Sequence, residues 1–216
     1  ENLKIKKQIF EKVEANRKPG SLVTSNTSSI PISLLAEGRS DEFKKHFCGT
    51  HFFNPPRYLR LLEVIPTKET DSKVTEFFMS FGDITLGKQT VLCRDTPAFI
   101  ANRIGVMSGT ALVNLTIEYK MSIEEVDAIT GPLIGRPNTA TFKLQDLVGL
   151  DTSEKVSSFV TKTVENDDFF EELKSKEVPA FMSFLLNNKF YGNKSGHYLN
   201  NQLLRKIESA QLMNNR

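Results

Sequence analysis

Apolar and polar residues recur with helical spacing at the start of the chain. Four apolar side chains share one face among lysines and glutamates, namely Leu3, Ile9, Phe10 and Val13. This pattern predicts an amphipathic helix over residues 2–16, which ends before Pro19-Gly20.

Short apolar runs that are rich in branched and aromatic residues predict four strands farther along the chain. They are Ser21–Ser25, Phe47–Phe53, Leu59–Ile65 and Gln89–Cys93. Two helices are predicted between them, at Ile32–Glu37 and Ser72–Phe81. Helices alternating with strands up to about residue 95 predict an α/β layout whose strands lie in one sheet.

The pattern becomes entirely helical after Asp95-Thr96-Pro97. Apolar residues recur from Phe99 to Tyr119, which predicts a long helix with one face packed in a core. The residues of this apolar stripe are Ile100, Ile104, Met107, Ala111, Leu112, Leu115 and Tyr119. Further helices are predicted after the capping-box sequence Ser122-Ile123-Glu124-Glu125 and at residues 153–165 and 179–190. We therefore expect a domain boundary near residue 96, with an α/β domain at 1–96 and an all-helical domain at 97–216.

Composition and charge narrow the classes of function. The chain has 28 basic and 26 acidic residues, and so small a net charge, +2, gives no electrostatic signature of nucleic-acid or anionic membrane binding. Cys48 and Cys93 are too few for a disulfide framework, which suggests a reducing compartment. No apolar run approaches the roughly 20 residues of a membrane span. The chain begins with Glu1 instead of a methionine, and it begins in the middle of what reads as a helix. We therefore expect a fragment or a processed chain.

Two polar residues near predicted strand ends are candidates for chemistry. Ser28 follows a strand, where ligand-binding residues gather in open α/β sheets, but it is equally suited to a turn or a helix cap. His51 lies among phenylalanines, and an imidazole in such surroundings is either a general base near neutral pH or a core residue.

Two further polar residues lie in a predicted strand and in the long helix. Glu63 stands in an apolar strand, so a buried position would require a partner, and a histidine on the adjacent strand would serve. The alternative is a solvent-facing glutamate on an edge strand. Asn102 is either part of the same site or a surface residue. His46, Cys48 and His51 match no common zinc framework, so no metal site is predicted.

Six motifs occur in a fixed order over most of residues 1–152. They are Glu1-Asn2-Leu3-Lys4-Ile5-Lys6, Ser25-Asn26-Thr27-Ser28-Ser29, His51-Phe52-Phe53-Asn54-Pro55, Leu62-Glu63-Val64-Ile65, residues 95–103 (DTPAFIANR) and residues 146–152 (DLVGLDT). In order and spacing these motifs resemble the 3-hydroxyacyl-CoA dehydrogenase family. The resemblance implies the C-terminal half of a Rossmann-type domain followed by an all-α domain.

The resemblance also implies roles for individual residues. His51 would remove the proton of the 3-hydroxyl group, and Glu63 would hold its imidazole. Ser28 and Asn102 would bind the substrate's reacting oxygen, and Asn54 would lie in the same site. The implied reaction oxidises an L-3-hydroxyacyl-CoA to the 3-ketoacyl-CoA, with the hydride passing to NAD.

The implied NAD site is incomplete in this sequence. Glu1 and Lys6 match positions that meet the nicotinamide-side ribose, and Ser28 would position substrate against the nicotinamide. The family's Gly-x-Gly-x-x-Gly loop seats the pyrophosphate, but none of the 12 glycines here forms even a Gly-x-Gly. We therefore expect the isolated chain to bind NAD weakly and to be inactive alone.

The resemblance extends to partners and setting. Residues 136–142 (RPNTATF) are similar to the large multifunctional bacterial members that also carry an enoyl-CoA hydratase domain, and residues 193–198 resemble the closing loop of the helical domain. The implied partners are an acyl-CoA substrate and a second copy bound through the helical domain, in cytoplasmic fatty-acid β-oxidation. Two alternatives stay open: another 3-hydroxy-acid dehydrogenase with a CoA-free substrate, and a non-catalytic helical assembly module.

Overall fold

The computed structural model describes residues 2–174, 178–196 and 199 of the chain. They form two units, which divide between Ile104 and Gly105. The boundary expected near residue 96 stays a prediction.

The first unit alternates helices and strands. Its elements are α1 (Leu3–Asn16), β1 (Val23–Ser25), α2 (Ile32–Ala36), α3 (Asp41–Lys45), β2 (Phe47–Phe52), β3 (Leu61–Pro66), α4 (Ser72–Ser80), a π-helical turn (Phe81–Thr85) and β4 (Gln89–Leu92). The sequence predicted each of these elements except α3 and the π-helical turn. Helix α3 (DEFKK) has a single apolar residue, and the π-helical turn directly continues α4, so neither shows an apolar pattern of its own.

The four strands that the structure describes lie in one sheet in the order β1-β2-β3-β4. Strands β1 and β2 are parallel, β2 and β3 are antiparallel, and β3 and β4 are parallel. This arrangement confirms the predicted α/β class. The carboxyl ends of β1 and β2 therefore meet the start of β3 at the same edge of the sheet, and β3 is paired on both sides.

Aromatic residues from three elements form the core beside this sheet. The ring of Phe10 on α1 lies 4.9 Å from that of Phe47 on β2, which lies 5.1 Å from Phe43 on α3. Ile32 and Leu35 of α2 are fully buried in the same cluster. Burial of a side chain of this size is worth about 1.5–3 kcal/mol, so these contacts fix α2 against the sheet.

The second unit is helical over its described residues. Helix α5 (Ala101–Glu118) begins in the first unit, and the later elements are α6 (Ile123–Ile129), a 3-10 turn (Pro132–Ile134), α7 (Phe142–Val148), α8 (Leu150–Thr163), α9 (Asp168–Lys174) and α10 (Ala180–Asn187). Ser122 and Glu125 form the predicted capping box at the start of α6. Helices α7 and α9 were not predicted, because seven residues give barely two turns of pattern. None of the described helices is long and apolar enough to cross a membrane.

The apolar stripe of α5 is not the core face that the sequence predicted. The buried residues of this helix are Val113 and Thr116, whereas Ile104 is 54% exposed and Tyr119 is 67% exposed. Helical spacing identifies side chains that share a face but not which face the rest of the chain covers. The prediction of core packing for this stripe was therefore wrong in the described structure.

Two buried carboxylates organise the helical unit. Asp127 on α6 accepts the backbone amides of Thr141 and Phe142 at 3.0 and 2.7 Å, which caps α7. Asp146 on α7 is 5% exposed and accepts the amide of Leu199 at 2.8 Å. The pKa of Asp146 is raised from its ordinary value near 3.8 to about 6. Burial is the main cause and the negative charge of Asp127 adds to it, while the hydrogen bond from the Leu199 amide opposes both.

Asp146→Asn is expected to stabilise the chain at about pH 8. The raised pKa means that the folded state holds this proton more tightly than the unfolded state. The stability that protonation contributes is therefore complete below about pH 4 and is lost as the pH rises through about 6. The amide keeps an acceptor for Leu199 without the buried charge, so the free energy of unfolding should rise by roughly 1–2 kcal/mol at about pH 8.

Chemical denaturation of both proteins at about pH 8 and pH 5 measures this effect. The wild type should gain more stability on acidification than Asp146→Asn does. Asp151→Asn is the matched control, because that partly exposed carboxylate loses its ion pair with Lys194 and the substitution should not stabilise the chain. Equal stabilities of wild type and Asp146→Asn at the higher pH would contradict the assignment.

Candidate active site

A histidine and a glutamate from neighbouring strands form a buried dyad. His51 on β2 lies directly opposite Glu63 on β3, so their side chains point to the same face of the sheet. The His51 Nδ1 atom is 2.6 Å from Glu63 Oε2, and the two residues are only 3% and 1% exposed. Because β3 is an interior strand, the alternative of a solvent-facing edge glutamate does not apply.

The second carboxylate oxygen of Glu63 binds the beginning of α5. Its Oε1 atom accepts the backbone amides of Ile100 at 3.0 Å and Ala101 at 2.8 Å. These amides belong to the N-terminal end of a helix, where the partial positive charge favours an anion. A carboxylate buried this deeply requires such partners, since an unpaired buried charge costs several kcal/mol.

The carboxylate also determines which nitrogen of His51 carries hydrogen. An ionised carboxylate only accepts hydrogen bonds, so the Nδ1 atom must be the donor and Nε2 of the neutral ring keeps its lone pair. The imidazole contacts two aromatic rings, with centroids 4.4 Å away for Phe53 and 5.8 Å away for Phe99. His51 therefore presents a proton acceptor at Nε2 in apolar surroundings.

Ser28 and Asn102 are brought together by a hydrogen bond. Asn102 is half-buried in the first turn of α5, and its Nδ2 donates to the backbone oxygen of Ser28 at 2.8 Å. Ser28 lies in the loop after β1, and Asn26 of that loop accepts the amide of Phe52 at 2.8 Å. The loop is thereby fixed to the end of β2, next to His51.

For the remaining residues predicted for the site, no described contact with the dyad supports the prediction. Asn54 is exposed two residues beyond β2, and Lys6 is half-buried on α1. Glu1 lies outside the described residues, as do the last two residues of the 193–198 motif. The roles of Asn54, Lys6 and Glu1 stay predictions.

Two residues that the sequence did not single out hold the site together. Asn26 joins the loop after β1 to β2 through the amide of Phe52. Asp95 accepts the amides of Ile32 and Ser33 with its two carboxylate oxygens, at 2.5 and 2.9 Å. Both residues belong to the motifs, but no spacing rule connects Asp95 with a helix that begins 63 residues earlier.

The cysteines offer no reactive thiolate near the dyad. Both are buried, and burial raises the pKa of the Cys48 thiol to about 12. The pKa of Cys93 is also about 12, mainly through burial and further through the adjacent Glu63 carboxylate. Both thiols stay protonated near neutral pH, so neither supplies a thiolate nucleophile or base at this end of the sheet. Across residues 2–174, 178–196 and 199, no cluster of three or more His, Cys, Asp or Glu side chains is arranged to hold a metal ion.

Two family models match the chain in succession. Residues 1–96 match the model described as "3-hydroxyacyl-CoA dehydrogenase, NAD binding domain". Residues 99–201 match the model described as "3-hydroxyacyl-CoA dehydrogenase, C-terminal domain".

Individual relatives and solved structures are also similar to this chain. A Bacillus subtilis protein named "Probable 3-hydroxyacyl-CoA dehydrogenase" is 50% identical over 196 residues, which are 91% of this chain and 24% of the relative. A Deinococcus radiodurans protein of the same name is 45% identical over 79% of this chain and 49% of its own length. The crystal structure of (S)-3-hydroxybutyryl-CoA dehydrogenase from Ralstonia eutropha has 27% identity and a TM-score of 0.77, covering 93% of this chain and 67% of that one. The chain thus spans about a quarter of the length of the Bacillus subtilis relative and about half of the length of the Deinococcus radiodurans relative.

Proposed function

This chain belongs to the 3-hydroxyacyl-CoA dehydrogenase family of NAD-dependent oxidoreductases, and on that premise we propose that the whole protein oxidises an L-3-hydroxyacyl-CoA to the 3-ketoacyl-CoA. The family and its NAD cofactor agree with the prediction made from the six motifs. The observation that carries the proposed activity is the buried hydrogen bond between His51 and Glu63.

His51 is the proposed general base of the reaction. Its Nε2 lone pair takes the proton from the 3-hydroxyl group, while the Nδ1 hydrogen bond to Glu63 fixes the ring and stabilises the imidazolium that forms. The neighbouring rings of Phe53 and Phe99 exclude water from the imidazole. A positioned base of this kind contributes about 100- to 10,000-fold to the rate.

Ser28 and Asn102 are proposed to bind the oxygen that loses this proton. Asn102 donates one amide hydrogen to the Ser28 backbone oxygen, so the orientation of its side chain is fixed before substrate binds. The serine hydroxyl and the second amide hydrogen supply neutral donors to the oxygen as it becomes a carbonyl. We place Asn54 in the same substrate site.

The described residues fit the nicotinamide end of an NAD site. Ser28 and His51 lie at the carboxyl ends of two parallel strands, which is where open α/β sheets bind ligands. The hydrogen-bond donors proposed there, the Ser28 hydroxyl and the Asn102 amide, are neutral. We propose that Ser28 and Lys6, together with Glu1, contact this end of the cofactor. Bound NAD would supply the acceptor for the hydride from the 3-carbon.

We infer further that residues 1–96 form the NAD-binding part and residues 97–216 an all-helical domain. Two copies of the protein are proposed to associate through the helical domain. Exposed apolar side chains there support this dimer, including Leu133 at 79% and Leu147 at 56% exposure. Cytoplasmic fatty-acid β-oxidation is the proposed setting, in keeping with the two free cysteines.

The full-length protein is expected to reduce NAD when given L-3-hydroxybutyryl-CoA. Formation of NADH, followed by its absorbance in steady state, measures this activity. L-3-hydroxybutyrate without CoA is the matched control and should support at most about a hundredth of the kcat/KM, because remote binding energy positions the reacting carbon. Equal kcat/KM values for the two substrates would favour a dehydrogenase of free 3-hydroxy acids.

A further inference from the structure

We propose that Asp95 is a positioning residue for Ser28 and Asn102, an inference that rests on the function proposed above. Asp95 lies between β4 and α5 and makes no described hydrogen bond to either residue of the dyad. Its two carboxylate oxygens bind the amides of Ile32 and Ser33.

Asp95 supplies a cap that α2 lacks locally. Pro31 occupies the position before this helix and has no side-chain hydrogen bond to offer the first amides. The carboxylate from the distant segment accepts two of them instead. Ile32 and Leu35 are fully buried, so α2 is a fixed point to which Asp95 joins the entry of α5.

Two more hydrogen bonds connect the same two segments. The amide of Ala98 donates to the oxygen of Ser29 at 3.1 Å, and Asn102 Nδ2 donates to the oxygen of Ser28 at 2.8 Å. The segment that carries Ser28 is therefore held at two points, by Asn102 at Ser28 and by Asp95 at Ile32. Without Asp95, the described hydrogen bonds between the two segments would be those from Ala98 and Asn102.

The chemistry of the contact makes the carboxylate hard to replace. Both partners are N–H donors, and an ionised carboxylate offers an acceptor to each. Asparagine would satisfy one amide and direct its own N–H group at the other, whereas alanine would satisfy neither. The loop would then shift relative to Asn102, and a displacement of about 1 Å at a reacting group can cost about 100-fold in rate.

Steady-state kinetics of Asp95→Ala in the full-length protein test the proposal. We expect the kcat of Asp95→Ala for L-3-hydroxybutyryl-CoA to be roughly 10- to 100-fold lower than that of the wild type. The kcat of Asp95→Asn should fall less, because this variant keeps one of the two hydrogen bonds. Asp71→Ala is the matched control, since Asp71 caps α4 through Lys73 in the same unit. That variant should lose stability with kcat changed by less than about twofold, because a lost cap costs about 1 kcal/mol of stability.

The effect of Asp95→Ala should also depend on Ser28. In a Ser28→Ala background, removing Asp95 should lower kcat by less than about threefold, because coupled residues are not additive. Asp95→Ala should also shift the side-chain amide resonances of Asn102 in the ¹⁵N spectrum, while Asp71→Ala should not. These readouts separate positioning from a loss of stability.

The outcomes distinguish the two hypotheses. An active wild type together with Asp95→Ala and Asp95→Asn variants within about twofold of its kcat would overturn the role of Asp95 alone. That role would also be excluded if Asp95→Ala costs as much without the Ser28 hydroxyl as with it. A wild-type protein without turnover would overturn the proposed function and with it the proposed role of Asp95.

Discussion

His51→Gln in the full-length protein is expected to lower kcat by about 100- to 10,000-fold with little change in the KM for substrate. Glutamine has similar volume and can still donate a hydrogen bond to Glu63, so the buried carboxylate keeps a partner. It offers no nitrogen that accepts a proton near neutral pH. The loss should therefore fall on the chemical step and leave binding of the ground state nearly unchanged.

Steady-state NADH formation by wild type and variant measures this loss. His46→Gln is the matched control, because His46 ends α3 in the same unit and contacts Glu42 instead of the dyad. That variant should keep kcat within about twofold. A His51→Gln protein that retains more than about a tenth of wild-type kcat would exclude the role of base, since it would have lost only about 1.4 kcal/mol of barrier stabilisation.

The contact between His51 and Glu63 could be predicted only in part from the pattern of the strands. The sequence predicted that the strands lie in one sheet and that Glu63, if buried, would need a partner such as a histidine on the adjacent strand. A solvent-facing position on an edge strand was the alternative. The register could not be predicted, because a slip of one residue turns every side chain to the other face. The structure places the two residues directly opposite each other.

The beginning of α5 shows where local patterns fail. The sequence predicted a helix from Phe99, but Ala98 and Phe99 have positive φ values of 61° and 53°, and α5 begins at Ala101. Residues other than glycine rarely adopt this conformation, so helical spacing gives no sign of it. The turn directs the amides of Ile100 and Ala101 at Glu63, 37 residues away in sequence. Contacts at such separation depend on the assembled sheet and not on any local pattern.

Glu63→Gln is expected to lower kcat by about 1,000- to 10,000-fold, which is the upper part of the range expected for removing the base itself. The amides of Ile100 and Ala101 are fixed donors, so the single oxygen of the glutamine must face them. Its NH₂ group must then face His51 Nδ1 and donate to it. The hydrogen of the neutral imidazole moves to Nε2, which is the atom that has to accept the substrate proton. The substitution keeps the shape of the site but selects the wrong tautomer.

Nitrogen NMR of the histidine rings tests this reasoning independently of turnover. In ¹⁵N-histidine-labelled protein, His51 should change from the tautomer protonated at Nδ1 to the one protonated at Nε2, while kcat falls. Glu14→Gln is the matched control, because it neutralises another carboxylate of the same unit that binds Arg39 and Ser40. That variant should leave both the His51 signals and kcat within about twofold of wild type. Two outcomes would contradict this reasoning: Glu63→Gln keeps the His51 hydrogen on Nδ1, or the tautomer changes without a loss of turnover. In either case the hydrogen bond from Glu63 does not determine the rate. Proton transfer to His51 then has to be explained without the carboxylate.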